Sequence, residues 1–392
     1  MLDRQQSLDR SLVRIAWVML PVTVMLAALD QWPYLTERFS RGQVVGRDAY
    51  AFWAAARLAL EGRLSEIYDH AAFQQAVAAM LGPGTGLHVF PYPPPALALL
   101  LPFGAMPYPL ALALWSLAGP LAFVAAVAAP DFRRLPVMLA LAAPLTLANV
   151  VLGQNGLFGA ALTIGGLRLA LHRPVVAGGL VGLLVFKPML GLFLPLALLF
   201  DRRWTAFLTA GATVIGLCLL SLALFGEGLW LAYLHDGVPF QRDLLEHGTG
   251  IAQAMKLTGF MAARTLGYGV EASYAVQGVF SLAAAVLVAV GLWRRRGGRG
   301  FDGRDVLILA LGTAAALPYL HFYDLATIAG GQILLATRRD GGRPAPAGAR
   351  LQVLLWALPL AGMILNVNGI PVAAPLLLLA LGSLALHRPP AA

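Results

Sequence analysis

One acidic residue, Asp48, stands just before a segment of helical apolar spacing in a chain with few charges. It lies in the stretch "GRDAYAFWAAARLALEG" (46–62). A carboxylate held at a membrane surface can take a proton from a hydroxyl group as a general base. The same side chain can cap a helix that runs from Ala49 to Glu61 and ends at Gly62. This stretch alone leaves both interpretations open.

The other unusual polar residues stand between apolar segments, where hairpins are expected to turn. They lie in "GQNG" (153–156), "FKP" (186–188), "PYLHFYD" (318–324) and "NVNG" (366–369). Charged groups next to hydrocarbon are unfavourable and mark cavities or functional sites. Each also has a simpler explanation: Asn155 with Gly156 favours a turn, Lys187 can extend to the membrane interface, and His321 can be a satisfied buried histidine.

The elements that carry these residues follow from the composition. Of the 392 residues, 59% are hydrophobic and 12% are charged, whereas soluble domains are about 45–50% apolar and about 25% charged. So apolar a chain requires lipid as its solvent. The single cysteine, Cys218, excludes an intramolecular disulfide and a cysteine metal site. We therefore predict an all-α polytopic membrane protein.

Arginine clusters between the apolar segments predict the orientation. They occur in "DFRR" (131–134), "DRRW" (201–204), "WRRRGGRG" (293–300) and "TRRDGG" (337–342). Cytoplasmic loops carry such an excess of basic residues. The resulting layout has about 12 spans with both termini cytoplasmic, 19 Lys/Arg and 7 Asp/Glu inside, and 9 Lys/Arg and 12 Asp/Glu outside. It places every polar hairpin end and Asp48 at the external face.

The predicted spans form a single integral membrane domain over residues 1–392. They are 11–29, 108–129, 135–152, 155–171, 174–186, 188–200, 204–225, 272–293, 305–320, 322–336, 351–366 and 370–387. We take 11–29 as a retained span rather than a signal peptide, and 95–107 as a partly embedded segment. External loops with amphipathic helices cover 30–93 and 226–270, and 340–349 is expected to be a flexible cytoplasmic linker.

Several classes of chemistry lack their motifs. The net charge of +9 lies in loop clusters, without the aromatic-interleaved basic stripe of a nucleic-acid surface, so no nucleic-acid partner is expected. Walker, Rossmann, H-E-x-x-H and nucleophile-elbow motifs do not occur, and the glycine-rich stretch 81–86 is expected to be a loop. No D-x-D pair lies near Asp48, so neither a metal nor a cofactor is expected.

A set of ordered motifs resembles glycosyltransferase family 87. These are Asp48, "LALEGRLSEIYD" (58–69), "FPYPPPALALLLPFGAMP" (90–107), "GQN" (153–155) and "RPVVAGGLVGLLVFKPMLGLFLPLALL" (173–199). The resemblance covers roughly residues 40–335. It implies a GT-C-like bundle and an enzyme, mannosyltransferase-like, that takes sugar from a polyprenyl-phosphate donor. The stretches 251–267 and 318–324 differ from the family pattern, which indicates a divergent member.

The resemblance also implies roles for the polar residues. Asp48 would be the general base of an inverting transfer, and Lys187, with Arg47 and His321 as further candidates, would bind the donor phosphate. The expected substrate-binding residues are Tyr92, Gln154, Asn155, Tyr319 and Asp324. The expected partners are the polyprenyl-phosphate sugar donor, a glycolipid or glycan acceptor, and membrane lipid, at the outer face of the cytoplasmic (inner) membrane.

Three other functions remain open from the sequence. A transporter or lipid flippase is less favoured, because the spans lack charged residues at their middles and the chain shows no duplicated halves. A non-catalytic assembly subunit with a degenerate enzyme fold would retain function without Asp48. A ligase or polymerase of lipid-linked glycans would transfer an oligosaccharide rather than one sugar.

Overall fold

The computed structural model describes residues 2–36, 45–81, 86–295, 300–337 and 349–387. This part of the chain is all α-helical, and it contains no β-strand beyond one isolated bridge between Lys256 and His321. Most of the predicted linker 340–349 and of the glycine-rich stretch 81–86 lies outside the described residues. The prediction of an all-α protein is confirmed.

Nineteen α-helices follow one another in the described residues. They are α1 Leu2–Thr36, α2 Arg47–Leu60, α3 His70–Leu81, α4 Pro94–Gly104, α5 Tyr108–Ala128, α6 Arg134–Ala142, α7 Pro144–Leu152, α8 Gly156–Leu169, α9 Pro174–Leu183, α10 Leu194–Phe200, α11 Trp204–Ala232, α12 Val238–Glu246, α13 Ile251–Ala254, α14 Gly259–Thr265, α15 Val270–Trp293, α16 Gly303–Ala316, α17 Ala326–Ala336, α18 Ala349–Val367 and α19 Ala373–Leu386.

Five described segments are long and apolar enough to cross a membrane, which makes the chain a multi-pass membrane protein. They are Ser11–Trp32, Tyr108–Ala128, Trp204–Glu246, Val270–Trp293 and Arg350–Val367, and α6 with α7 forms a sixth if this pair, bent by 50°, is one span. These six fall in six of the twelve predicted spans. The other six hold helices of 17 residues or fewer, too short to cross about 30 Å alone. The count of twelve and the orientation stay predictions.

The hairpin of α16 and α17 lies at the centre of the bundle. Nearly every residue of both helices is buried, and they pack against α8, α15, α18 and α19. A helix surrounded on all sides is apolar on all faces, which explains why neither shows an amphipathic pattern. The turn between them, residues 317–325, is therefore held rigidly at one end of the core.

The helices of the first long loop pack into a second apolar cluster at the same end. An alanine-rich face of α2 lies against α4, where a Cβ on Gly104 would come within 2.6 Å of the Ala56 Cβ. The small side chains let the two helices approach closely. Tyr68 and Phe90 complete this cluster, and the hydroxyl of Tyr68 donates to the Tyr92 carbonyl at 2.6 Å. This packing fixes α2, and with it Asp48.

Candidate active site

Asp48 lies in the first turn of α2 and does not cap it. The N-cap residue is Gly46, whose positive φ of 81° suits glycine, and no side chain caps this helix. The capping interpretation of Asp48 is therefore wrong, because the helix starts earlier than the sequence suggested. Gly62, with φ of 75°, follows the end of α2 as expected. The Asp48 carboxylate is free to make a tertiary contact.

That contact is with the turn between α7 and α8. Gln154 Nε2 donates to Asp48 Oδ2 at 2.5 Å. The turn presses closely on α2, since a Cβ on Gly153 would lie 2.1 Å from the Gly46 carbonyl oxygen. Gly153 also has a positive φ of 65°. Only glycine suits a position that combines this φ with so close an approach, so the "GQN" sequence has a geometric reason.

The same turn also contacts the central hairpin. Asn149 Nδ2 donates to the Tyr323 carbonyl at 3.0 Å, and Asn149 Oδ1 accepts from the Gly156 amide at 2.8 Å. Asn155 Nδ2 donates to the Tyr92 hydroxyl at 2.8 Å. Three separate regions of the chain, around Asp48, Gln154 and Tyr323, are joined by these hydrogen bonds at one end of the bundle.

Lys187 and Asp324 form a buried ion pair in this cluster. Lys187 stands between two 3₁₀ segments, Leu184–Phe186 and Pro188–Gly191, and its Nζ lies 2.6 Å from Asp324 Oδ1. Asp324 Oδ2 accepts from the His321 amide at 3.3 Å. The interpretation that Lys187 extends to the membrane interface is wrong, because only 6% of the residue is exposed. Both carboxylate oxygens of Asp324 are engaged within the protein.

An apolar cavity of about 270 Å³ opens beside the polar cluster. Tyr92 and Asn155 are its polar residues, and Phe52, Trp115 and Phe158 contribute aromatic walls. The Oδ1 atom of Asn155 and the Oε1 atom of Gln154 are both buried and accept no hydrogen bond. Asn155 lines this cavity and Gln154 is its neighbour in the chain, so these unsatisfied acceptors are suited to ligand hydroxyl groups that reach this wall.

The turn 317–325 contributes the aromatic side of the site. His321 stacks on Tyr323, with ring centroids 5.0 Å apart, and meets Tyr319 edge-on at 5.2 Å. Burial lowers the pKa of His321 well below its ordinary value, and the nearby Lys256 and Lys187 charges lower it further. The imidazole is therefore neutral at neutral pH, and its buried Nδ1 atom has no hydrogen-bond partner within the described part of the chain.

The electrostatic setting of Asp48 favours a base of raised strength. Its side chain is partly exposed, and burial raises the pKa of Asp48 above the ordinary value of about 3.9. The hydrogen bond from Gln154 and electrostatic interactions with Arg47, His88 and Lys187 oppose this rise in pKa. A carboxylate with a raised pKa takes a proton more readily than an ordinary surface aspartate.

Arg47 is engaged away from the centre of the cluster. Its guanidinium forms an ion pair with Asp30, near the end of α1. Its charge still acts on Asp48, but the ion pair partly neutralises it. Arg47 is thus the least suited of the three predicted phosphate ligands. Among the described residues, no group of three or more His, Cys, Asp or Glu side chains could hold a metal ion.

Lys256 is the main residue of the site that the sequence reasoning missed. It is 1% exposed, and its Nζ lies 5.2 Å from the Tyr319 ring centroid. Its backbone forms the isolated antiparallel β-bridge with His321. It stands in the stretch 251–267, noted only because it differs from the family pattern. The sequence feature that could have identified Lys256 as a site residue is its position as a lysine within an apolar stretch of a loop.

The chain belongs to glycosyltransferase family 87, whose family model matches residues 90–318. It is therefore a glycosyltransferase, and its long apolar helices make it a membrane protein. The matched region includes Tyr92, Gln154 and Lys187, and leaves Asp48 and the residues from Tyr319 onwards outside. A comparison with curated proteins finds no match, and neither does one with solved structures.

Proposed function

We propose that this membrane glycosyltransferase moves one sugar from a polyprenyl-phosphate donor to a lipid or glycan acceptor with inversion. The observation that carries the proposal is the position of Asp48. Asp48, a half-buried residue, shares a cluster with Lys187, and Tyr92 and Asn155 of the same cluster line an apolar cavity. A polyprenyl-phosphate sugar needs such a combination: an apolar channel for the chain and a polar site for the phosphate and sugar. We assign the fold to the GT-C type.

In the proposed reaction, Asp48 takes the proton of the acceptor hydroxyl as its oxygen attacks the anomeric carbon. The bond between that carbon and the phosphate oxygen breaks, and polyprenyl phosphate departs with the bonding electrons. Gln154 holds the carboxylate in position through its 2.5 Å hydrogen bond. A positioned base of this kind contributes about 10²–10⁴-fold to the rate.

The remaining residues bind the donor. The prenyl chain would occupy the cavity beside Tyr92, and the free amide oxygens of Gln154 and Asn155 would accept hydrogen bonds from sugar hydroxyls. Lys187 and His321 face the phosphate. Asp324 orients Lys187 rather than touching the substrate, since both its oxygens are engaged. Tyr319, partly exposed, lines the acceptor side.

We place this site at the outer face of the cytoplasmic membrane with both chain termini inside. The distribution of basic residues supports this orientation. The arginine residues are concentrated in the loops that the predicted layout puts on the side opposite to Asp48. Donors that reach this face are carried by lipid rather than by nucleotide, which agrees with the apolar cavity.

The test uses the purified protein in lipid nanodiscs, a panel of polyprenyl-phosphate monosaccharides and a membrane glycolipid extract. Release of free polyprenyl phosphate together with a singly glycosylated acceptor supports the proposal. Transfer of an oligosaccharide would instead identify a ligase or polymerase. Movement of intact donor across a bilayer without its consumption would identify a transporter, and either result would contradict the proposal.

A further inference from the structure

The chain has only two lysines among its 28 lysine and arginine residues, Lys187 and Lys256. Both are buried, with exposed fractions of 6% and 1%, and both lie next to His321. Their charges act together on this histidine. Two buried ammonium groups that both act on one imidazole, in a chain that uses arginine everywhere else, indicate a specific electrostatic requirement.

The two lysines differ in how their charge is balanced. Lys187 is paired with the carboxylate of Asp324 at 2.6 Å. Lys256 Nζ donates to two neutral oxygens, the Ala252 carbonyl at 3.2 Å and Gln253 Oε1 at 2.8 Å. Within the described part of the chain, no carboxylate lies within ion-pair distance of Lys256. A buried cation without an acidic partner is strongly unfavourable, because its charge has lost the solvation of water.

The backbone around Lys256 is tied firmly to the site. Asn366 Nδ2 donates to the Lys256 carbonyl at 3.2 Å, and the Phe322 amide donates to the Met255 carbonyl at 2.8 Å. The Lys256 ammonium lies against the Tyr319 ring. It therefore stands behind the wall formed by Tyr319 and His321, close to the candidate site and shielded from solvent.

We propose that Lys256 supplies the unbalanced positive charge that attracts the donor's phosphate and stabilises it as the leaving group, acting across Tyr319 and His321 without touching it. The inference rests on the proposed function. The donor phosphodiester carries one negative charge, and the departing phosphate gains a second while Asp48 becomes neutral. A fixed cation in a region of low dielectric stabilises that change without reorganisation. Lys256 is thus a positioning residue.

Lys256 loses its charge in a pH range near neutrality. Burial lowers the pKa of Lys256 to about 8. Around it, the pKa of His321 is well below its ordinary value and that of Tyr319 is raised to about 12. Lys187 and Asp324 face the site as an ion pair, and Asp48 interacts electrostatically with Tyr319. Lys256 is therefore the group facing this wall that loses its charge between about pH 7 and about pH 9.

The test measures binding of farnesyl methyl phosphate, a diester with a fixed single charge, to the full chain in nanodiscs. Wild-type affinity is expected to fall about tenfold from about pH 6.5 to about pH 9.5 as Lys256 loses its proton. Lys256→Arg keeps the charge over this range, so its affinity should be pH-independent. Lys256→Gln keeps a hydrogen-bond donor and should bind about tenfold more weakly at low pH, also without pH dependence.

A second readout avoids variants that fail to fold. In wild-type protein with ¹³C-labelled lysine only two side-chain signals exist, and the pKa of Lys256 should rise when the diester binds. An unchanged pKa, or a Lys256→Gln protein with wild-type affinity and pH profile, would overturn the role of Lys256 and leave the donor class standing. Absence of diester binding at every pH would contradict the donor class itself.

Discussion

Gln154 donates a 2.5 Å hydrogen bond to Asp48, although the two residues are 106 positions apart in the chain. The bond joins the first turn of α2 to the turn between α7 and α8. It turns a carboxylate at a helix start into part of a site that also includes the ends of three further hairpins. This contact holds the proposed base in place.

Replacing Gln154 with leucine should weaken catalysis mainly on the acid side. The Gln154 hydrogen bond lowers the pKa of Asp48, so without it the pKa rises and less carboxylate is ionised at a given pH. The acid limb of the kcat/KM profile should move to higher pH, with about tenfold lower activity there. Asn368→Leu, which removes an exposed amide bonded to the Ile364 carbonyl, is the control. An unmoved acid limb would contradict the role of Gln154.

Gly153→Ala should separate the two halves of the site. The new Cβ would lie 2.1 Å from the Gly46 carbonyl oxygen, and φ at this position is 65°. The turn must move away from α2, and displacement of a catalytic group by about 1 Å costs about 10²-fold in rate. Gly179→Ala in α9, where a Cβ meets nothing within 4 Å, is the matched control. Equal kcat for the two variants would show that the close approach is unimportant.

Asp324→Asn should destabilise the protein because it leaves Lys187 buried without its carboxylate. Breaking a buried ion pair by removing one partner costs about 3–5 kcal/mol, measurable as a shift in denaturant titrations in mixed micelles. The double variant Lys187→Met with Asp324→Leu should recover stability but not activity. If Asp324→Asn unfolded like wild type, the pair would not be the buried contact described.

Ala161→Trp should raise KM for long-chain donors. Ala161 lines the 270 Å³ cavity beside Tyr92, and an indole would occupy the volume assigned to the prenyl chain. Short-chain donors should be affected less, because they fill less of the cavity. Ala142→Trp is the matched control, since Ala142 lines a separate cavity of about 280 Å³ between α1 and α6. An equal KM for all chain lengths would place the prenyl chain elsewhere.

The sequence predicts the class of fold and which residues gather at one end of the bundle. It does so because apolar length, arginine clusters and polar hairpin ends are local features. The contacts within the cluster are not local. Asp48 meets Gln154 because Gly46 starts α2 early and Gly153 allows a close approach, and neither feature is visible as a pattern.

The sequence predicts one site residue that the structure engages elsewhere, Arg47, and misses one that the structure places at the site, Lys256. Arg47 was a reasonable phosphate ligand by position, but its partner Asp30 lies at the end of α1 and is identified only in three dimensions. Lys256 stood in a loop without a recognised motif. Its ammonium lies against Tyr319 and its backbone carbonyl accepts from Asn366, and both of these residues are remote in the chain.

The most direct measurement compares polyprenyl-phosphate release by wild type, Asp48→Asn and Asp243→Asn in nanodiscs. Asp243 is an exposed carboxylate of α12 and serves as the matched control. The account predicts that Asp48→Asn still binds farnesyl methyl phosphate yet loses at least about 100-fold in release rate, while Asp243→Asn keeps the wild-type rate. A folded Asp48→Asn protein that releases polyprenyl phosphate at the wild-type rate would contradict the assignment of Asp48 as the base.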